Sequence, residues 1–332
     1  MRRALAVVGL GFAALGVVLP ACSSTSDGES SPPETGWAAV RNPVLSYEDA
    51  AIKDSFVVRR GDTWHLGFSY IRDDPFRFRL GFSTTRDLVS FGPLVVVDQP
   101  EVGGLASPDV VQAPGGEFVM TYNSHTRDVG SDSNKLYFRT SSDLAVWSEP
   151  RRIRIEGVDA PGDRLIDAAL AFAEVGTFLF FKREQVANVA FSASRSVEGP
   201  WTLLGPLEPK AVENVQVLRI DGVWHMLATS VPLIHRPMLH RLSGDPATTD
   251  AWRTWTPVRE LEIPEQPWNT GDPLTYERAN ASYLVDSRAS DGFFHLVYAG
   301  STEILSYEGR GHAKLGLARS RDLITWEPAR AR

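Results

Sequence analysis

Apolar residues along this chain fall into paired short runs, each pair joined by a glycine turn. In the first pair Asp54 precedes Phe56-Val57-Val58, Gly61-Asp62 turns the chain, and Trp64-His65-Leu66-Gly67-Phe68 runs back. The same phrase follows Asp109 (turn at Gly115-Gly116), Asp167 (turn at Gly176), Glu213 (turn at Asp221-Gly222) and Asn280 (turn at Asp291-Gly292). Apolar runs of this length, rich in β-branched and aromatic residues and bounded by turn chemistry, predict antiparallel hairpins. A second landmark follows each hairpin: a strand, a polar turn and an aromatic residue. Asp87 precedes Phe91, Asp143 precedes Trp147 and Asp322 precedes Trp326, while Trp201 and the pair Trp252 and Trp255 hold the matching places in units three and four. The pattern predicts four strands per unit, five units and almost no helix. Repeats of about 40–60 residues with several strands each are the signature of a β-propeller, here with five four-stranded antiparallel blades.

Two expectations follow from that topology. Residues 38–47 should supply the missing outer strand of blade five and close the ring, removing an exposed sheet edge. The hairpin turns should lie on one face. The first residues of the repeats, Asp54, Asp109, Asp167, Glu213 and Asn280, should lie together on the other face near the axis, and His125, Lys182 and Glu184, at the ends of second strands, should rim it.

The first residues of the chain depart from the repeat. Met1-Arg2-Arg3 is basic, residues 5–19 are apolar, and Leu19-Pro20-Ala21-Cys22 ends the run on small residues. This is the layout of an export signal over residues 1–21, and it resembles a bacterial lipoprotein signal with Cys22 as the lipidated residue. Cys22 is the single cysteine of 332 residues, which fits an exported chain with no disulfide. Residues 22–36, rich in Ser, Pro, Gly and acids, cannot bury a core and read as a flexible tether. The folded domain is expected over 37–332, outside the cytoplasm, held to a membrane by the lipid and monomeric. Net charge of −7 argues against nucleic acid as a partner.

Acids converging on a funnel suggest glycoside hydrolysis, which needs two carboxyl groups flanking the scissile bond. The motifs agree. Asn42-Pro43-Val44-Leu45 with Asp54, Ser107-Pro108-Asp109-Val110-Val111, Ile166-Asp167-Ala168-Ala169-Leu170, Val212-Glu213-Asn214-Val215, and the blade-end phrases Gly199-Pro200-Trp201 and Ser320 to Trp326 together resemble glycoside hydrolase family 43. Those proteins are five-bladed propellers acting on arabinose- and xylose-containing glycans, and the resemblance covers nearly the whole 37–332 domain. It implies an inverting mechanism with Asp54 as the general base, Asp167 tuning the acid, and Glu213 as the general acid. Asp109 and Asn280 would be sugar-binding or supporting positions. The chain departs from the family after each acid: Ser55 and Ala168 stand where proline is usual, and Asn214-Val215 where Gly-Pro is usual. A non-catalytic glycan-binding propeller is the leading alternative. Fructoside hydrolysis or glycoside phosphorolysis comes third, because the fructosidase motifs are absent around Asp54 and Asp167.

The remaining candidates separate by repetition. His65, His225 and His295 share one repeat position and are expected to pack. Asp87, Asp143 and Asp322 are expected to be turn residues. His125 is a candidate for a sugar hydroxyl. Trp268 and Tyr276, in the irregular stretch 264–278, are candidates for stacking on a sugar ring. No spacing of His, Asp or Glu reads as a metal site. No cofactor is expected, and a calcium on the axis would leave no mark in sequence.

Overall fold

The computed structural model describes residues 35–332 other than 74, 127–133, 232–234, 272–277 and 304–307. Cys22, the export signal, most of the tether and Tyr276 lie outside the described residues. Five sheets of the described chain are arranged as the blades of a propeller, a two-stranded sheet joins the chain's two ends, and there is very little helix. Each blade runs first to fourth strand from the axis outward. Blade one comprises Ala51–Arg60, Thr63–Asp73, Phe76–Thr85 and Val95–Val97. The first two strands of the others are Leu105–Gln112 and Phe118–Ser124, Leu165–Ala173 and Gly176–Arg183, Val212–Ile220 and Val223–Ser230, and Asn280–Asp286 and Phe294–Gly300. Blade three gains a fifth, outermost strand, Ile155–Glu156, parallel to the start of Trp201–Pro206.

Alternation along the strands explains the core. Side chains on the two faces of a blade meet those of the next blade, and the buried aromatic and aliphatic residues fall into clusters between neighbouring blades. Glycine appears where a ring must cross a strand. A Cβ on Gly67 would lie 2.1 Å from Phe56, and one on Gly81 2.3 Å from Phe68. The repeated acids Asp87, Asp143 and Asp322 each accept two backbone N–H bonds from residues two and three positions on, at 2.8–2.9 Å. They are turn residues, and those N–H donors hold their carboxyls below the ordinary value.

Ring closure differs from the expectation. Blade five has its own outer strand, Glu327–Pro328, against the third strand Lys314–Ser320. The N-terminal segment covers only the part of that edge left over. Leu45 bridges Leu315, and Arg41–Asn42 runs parallel to Arg330–Ala331. The outer strand is too short to pair the whole edge, so chain start and chain end share the task. Asn42 fastens the joint. It is fully buried, donates from Nδ2 to Gln266 Oε1 (2.9 Å), Tyr298 Oη (3.2 Å) and the Leu317 carbonyl (3.1 Å), and accepts the Leu317 N–H at 2.9 Å. Asn42→Ala removes all four bonds and takes from the buried Leu317 N–H its side-chain acceptor. It is expected to cost about 3 kcal/mol, read as a lower urea midpoint at unchanged slope; a midpoint equal to the parent's refutes this role for Asn42.

Candidate active site

All five first strands slip out of register at the same height. The irregularity falls between Lys53 and Phe56, Ala106 and Asp109, Ile166 and Ala169, Glu213 and Gln216, and Asn280 and Tyr283. Each is a β-bulge whose first residue is left-handed: Asp54 (φ 50°), Ser107 (52°), Asp167 (56°), Asn214 (49°) and Ala281 (46°). Asp and Asn tolerate this region better than most residues, and such strain gathers at functional sites.

The bulges correct one expectation. The five repeat-opening residues do not share one structural position. Asp54 and Asp167 are equivalent, both being bulge residues. Glu213 and Asn280 sit one position earlier, where blade one has Lys53, and Asp109 sits two positions later, where blade five has Tyr283.

The second strands tie the bulges together. Ser69, Asn123 and Thr229 hold one register position, opposite Lys53, Ala106 and Glu213 respectively. Each accepts the backbone N–H of the next blade's bulge residue: Ser107 N–H to Ser69 Oγ (2.8 Å), Asp167 N–H to Asn123 Oδ1 (3.2 Å) and Ala281 N–H to Thr229 Oγ1 (3.0 Å). The bulge leaves an amide turned from its own ladder, and a short polar side chain from the preceding blade satisfies it. In blade three this position is Lys182, opposite Ile166. A charged lysine has no lone pair to offer, and its Nζ instead makes a close ion pair with Glu213 Oε2.

These constraints bring three acids to one place. Asp54 is buried. Its Oδ2 accepts from Ser69 Oγ (2.8 Å) and Ser107 Oγ (3.4 Å), its Oδ1 accepts from Asn214 Nδ2 across the axis (3.1 Å), and Lys53 Nζ stands 3.8 Å from Oδ1. Burial raises the proton affinity of Asp54, and Glu308 and Glu213 add to this against the pull of Lys53 and Ser69. Asp167 is pushed up to about 6 by burial and by the charges of Glu213 and Asp54, opposed by Lys182. Burial would raise Glu213 as well, but the Lys182 ammonium outweighs it, helped by Lys53 and His235, and holds Glu213 below its ordinary value. Asp109 is pushed up to about 7 by burial, against hydrogen bonds from the Val110 and Leu170 amides and from Tyr283.

Asp54, Ser107, Asp109, Asp167, Asn214 and Tyr283 line a cavity of about 30 Å³ on the axis, room for a water molecule but not for a sugar ring. A wider cavity of about 320 Å³ opens between blades four and five on the same face. Its rim carries His235, Arg236 paired with Glu260 (2.7 Å) and Arg278 paired with Glu265 (2.7 Å), over Leu261 and Ile263. Among the described residues no cluster of His, Cys, Asp and Glu could hold a metal ion.

Other predicted residues take different places. His125 packs on Phe78, ring centroids 4.0 Å apart, at the junction of blades one and two. Glu184 caps the blade-three edge, its Oε1 accepting the Arg164 N–H at 2.9 Å. Asn280 is buried opposite Ala299. Trp268 is not a surface platform. It is 8% exposed, stacks on Tyr298 at 5.8 Å, donates to Gln266 Oε1 (2.9 Å) and lies where a Cβ on Gly316 would be 2.5 Å away. The glycine makes the slot that swallows the ring. Trp268→Ala is expected to lose about 3–5 kcal/mol of stability while leaving affinity for oligosaccharide unchanged in calorimetry; weakened binding at unchanged stability would restore the stacking role. Nothing in the sequence singles out Lys53, Ser69, Ser107 or Asn214. Their only mark there is adjacency to an acid or a place in the repeat, and the bulge register is needed to read it.

No family model matches the chain, and no curated protein matches it by sequence. Solved structures do match by fold. A GH62 hydrolase in complex with xylotriose superposes with a TM-score of 0.61 at 13% identity, covering 84% of this chain and 96% of that one. The catalytic domain of the Coprinopsis cinerea GH62 alpha-L-arabinofuranosidase gives 0.60 at 17% identity over 85% and 93%. A thermostable family-43 glycoside hydrolase gives 0.57 at 14% over 87% and 95%. At these identities the likeness is one of fold.

Proposed function

We propose that this propeller is a glycoside hydrolase that cleaves arabinose- or xylose-containing glycans with inversion, working outside the cytoplasm from a lipid anchor at Cys22. The observation that carries the reading is the approach of Asp54, Asp167 and Glu213, from blades one, three and four: Asp54 and Asp167 line the axial cavity, and Glu213 stands close enough for the three charges to bear on one another's protons. The fold neighbours named as arabinofuranosidase and as binding xylotriose support the choice of pentose.

In this reading Asp54 takes a proton from a water whose oxygen bonds to the anomeric carbon. Glu213 gives its proton to the glycosidic oxygen as that carbon–oxygen bond breaks. Inversion needs a water between base and sugar, and the small cavity lined by Asp54 has room for one. Asp167, equivalent to Asp54 by register, sets the charge that Glu213 works against. The leaving part of the glycan would occupy the wider cavity, since His235 on its rim lies within electrostatic reach of Glu213.

The test is hydrolysis of aryl arabinofuranosides, aryl xylosides and arabinan, with the first-formed anomer read by proton NMR. Release of the inverted anomer is the expected result; the retained anomer refutes the mechanism. The Lys182–Glu213 pair favours a second reading, a glycan-binding propeller without catalysis, because an ionised Glu213 has no proton to give. Binding of the polymers with no hydrolysis of any substrate would establish that reading instead.

A further inference from the structure

Two blades depart from the inter-blade hydrogen bonding: blade five has Ala299 at the linking register, with no acceptor to offer, and blade three has Lys182. Three other blades contribute short side chains, Ser69, Asn123 and Thr229, and each bonds a backbone amide of the next blade. Blade three alone places a cation there, and the cation lands on Glu213. Both partners are largely withdrawn from water, with side-chain exposures of 7% for Lys182 and 19% for Glu213. Bulk solvent therefore screens the pair little.

We propose that Lys182 is a positioning residue that holds Glu213 as a carboxylate in the empty site, and that a bound sugar must draw its ammonium away before Glu213 can deliver a proton. The inference rests on Glu213 being the acid, as argued above. The charged groups facing Glu213 come from every blade around it: Lys182 and Asp167 from blade three, Lys53 and Asp54 from blade one, and His235 beyond the second strand of blade four. Lys53 is already engaged with Glu308 at 3.2 Å and Asp54 at 3.8 Å, which leaves Lys182 as the contact partner of Glu213.

Chemistry makes the exchange feasible. An ammonium has three donors on a flexible four-carbon stem, and sugar hydroxyls are acceptors that can take it over. Once the ammonium turns to a hydroxyl, the carboxyl is left buried beside Asp167 and Asp54. Burial and two like charges then favour its protonated form. The empty enzyme would thus keep its acid unarmed, and the substrate would arm it.

The other blades supply the test variant. Thr229 shows that a threonine fits this register and accepts the next bulge amide, so Lys182→Thr can bond the Asn214 N–H and keep the fold. Glu213 is followed by carbon-13 NMR of labelled glutamate carboxyls in the free protein, with Glu213→Gln to assign the signal. Lys182→Thr is expected to raise the proton affinity of Glu213 tenfold or more, and Lys182→Arg to leave it low. The alkaline limb of the kcat/KM profile, which reports the free enzyme, should move up by the same factor in Lys182→Thr only. An unmoved Glu213 titration in folded Lys182→Thr overturns the proposal. A moved titration with an unmoved alkaline limb overturns the gate and, with it, Glu213 as the acid. If the parent protein hydrolyses nothing, the glycosidase reading fails on its own, and the titration still decides whether Lys182 holds Glu213 ionised. A merely structural lysine would lower the melting temperature without moving either readout.

Discussion

Glu213→Gln is expected to lower kcat/KM on natural pentosides by about 10³-fold, and Asp54→Asn by a similar factor, within the range that positioned acids and bases contribute. The two losses should differ in kind. An acid matters most when the leaving oxygen is a poor leaving group, so Glu213→Gln should regain much of its rate on aryl glycosides with strongly acidic phenols. A base matters for every leaving group, so Asp54→Asn should stay slow on all of them. Both substitutions keep the shape of the side chain. Asp54→Asn also removes a carboxylate that burial already disfavours, so it should not melt early, whereas Glu213→Gln leaves the Lys182 ammonium without its carboxylate and should melt lower. The measurement is a series of aryl arabinofuranosides of graded phenol pKa, with melting curves alongside. Glu213→Gln at full rate on arabinan would sink its role as acid, whatever the fold neighbours do.

Asp109→Asn is expected to stabilise the protein at pH 8 by about 4 kcal/mol and to change little at pH 4. The carboxyl of Asp109 is pushed up from 3.8 to about 7 by burial. Between those two values the folded chain keeps a proton that the unfolded chain has released. Stability therefore falls as pH rises through this window, by about 1.4 kcal/mol per unit, and levels off above it. The amide that replaces the acid in the variant cannot ionise, so the difference between variant and parent should open between pH 4 and 7 and then stay constant. Asp167, pushed up to about 6, adds a slope of the same sign to both proteins and cancels in the comparison. Urea unfolding at several pH values reads the effect directly. A difference that does not grow with pH would mean that Asp109 is solvated well enough to ionise at its ordinary value.

Much of this protein is legible in its sequence. Five copies of a strand, glycine turn and aromatic strand can bury their apolar faces only against one another, and that requirement leads to a ring of blades. The turn role of Asp87, Asp143 and Asp322 was equally plain, because a side chain that bonds amides two and three residues on needs only local chain. The repeated histidines meet their expectation only in part: His295 is buried against Trp64 of the neighbouring blade, while His65 and His225 are half-buried. Trp268 shows the limit. Whether an aromatic in an irregular stretch stacks on a sugar or drops into the core depends on Gly316, far away in sequence, leaving a slot for it.

The fold and the identity of the acids that reach the axis both follow from a period repeated along the chain. How those acids stand to one another does not. Side chains in a strand alternate with a period of two, so a bulge of one residue changes which neighbour each acid meets. The repeat lines up Asp54, Asp109, Asp167, Glu213 and Asn280 as one position; the bulges divide them into three. Glu213 thereby falls beside Lys182 of the preceding blade, and Asp54 beside Asn214 of a blade 160 residues away. Contacts of that kind depend on register and inter-blade distance, which no local pattern of residues encodes.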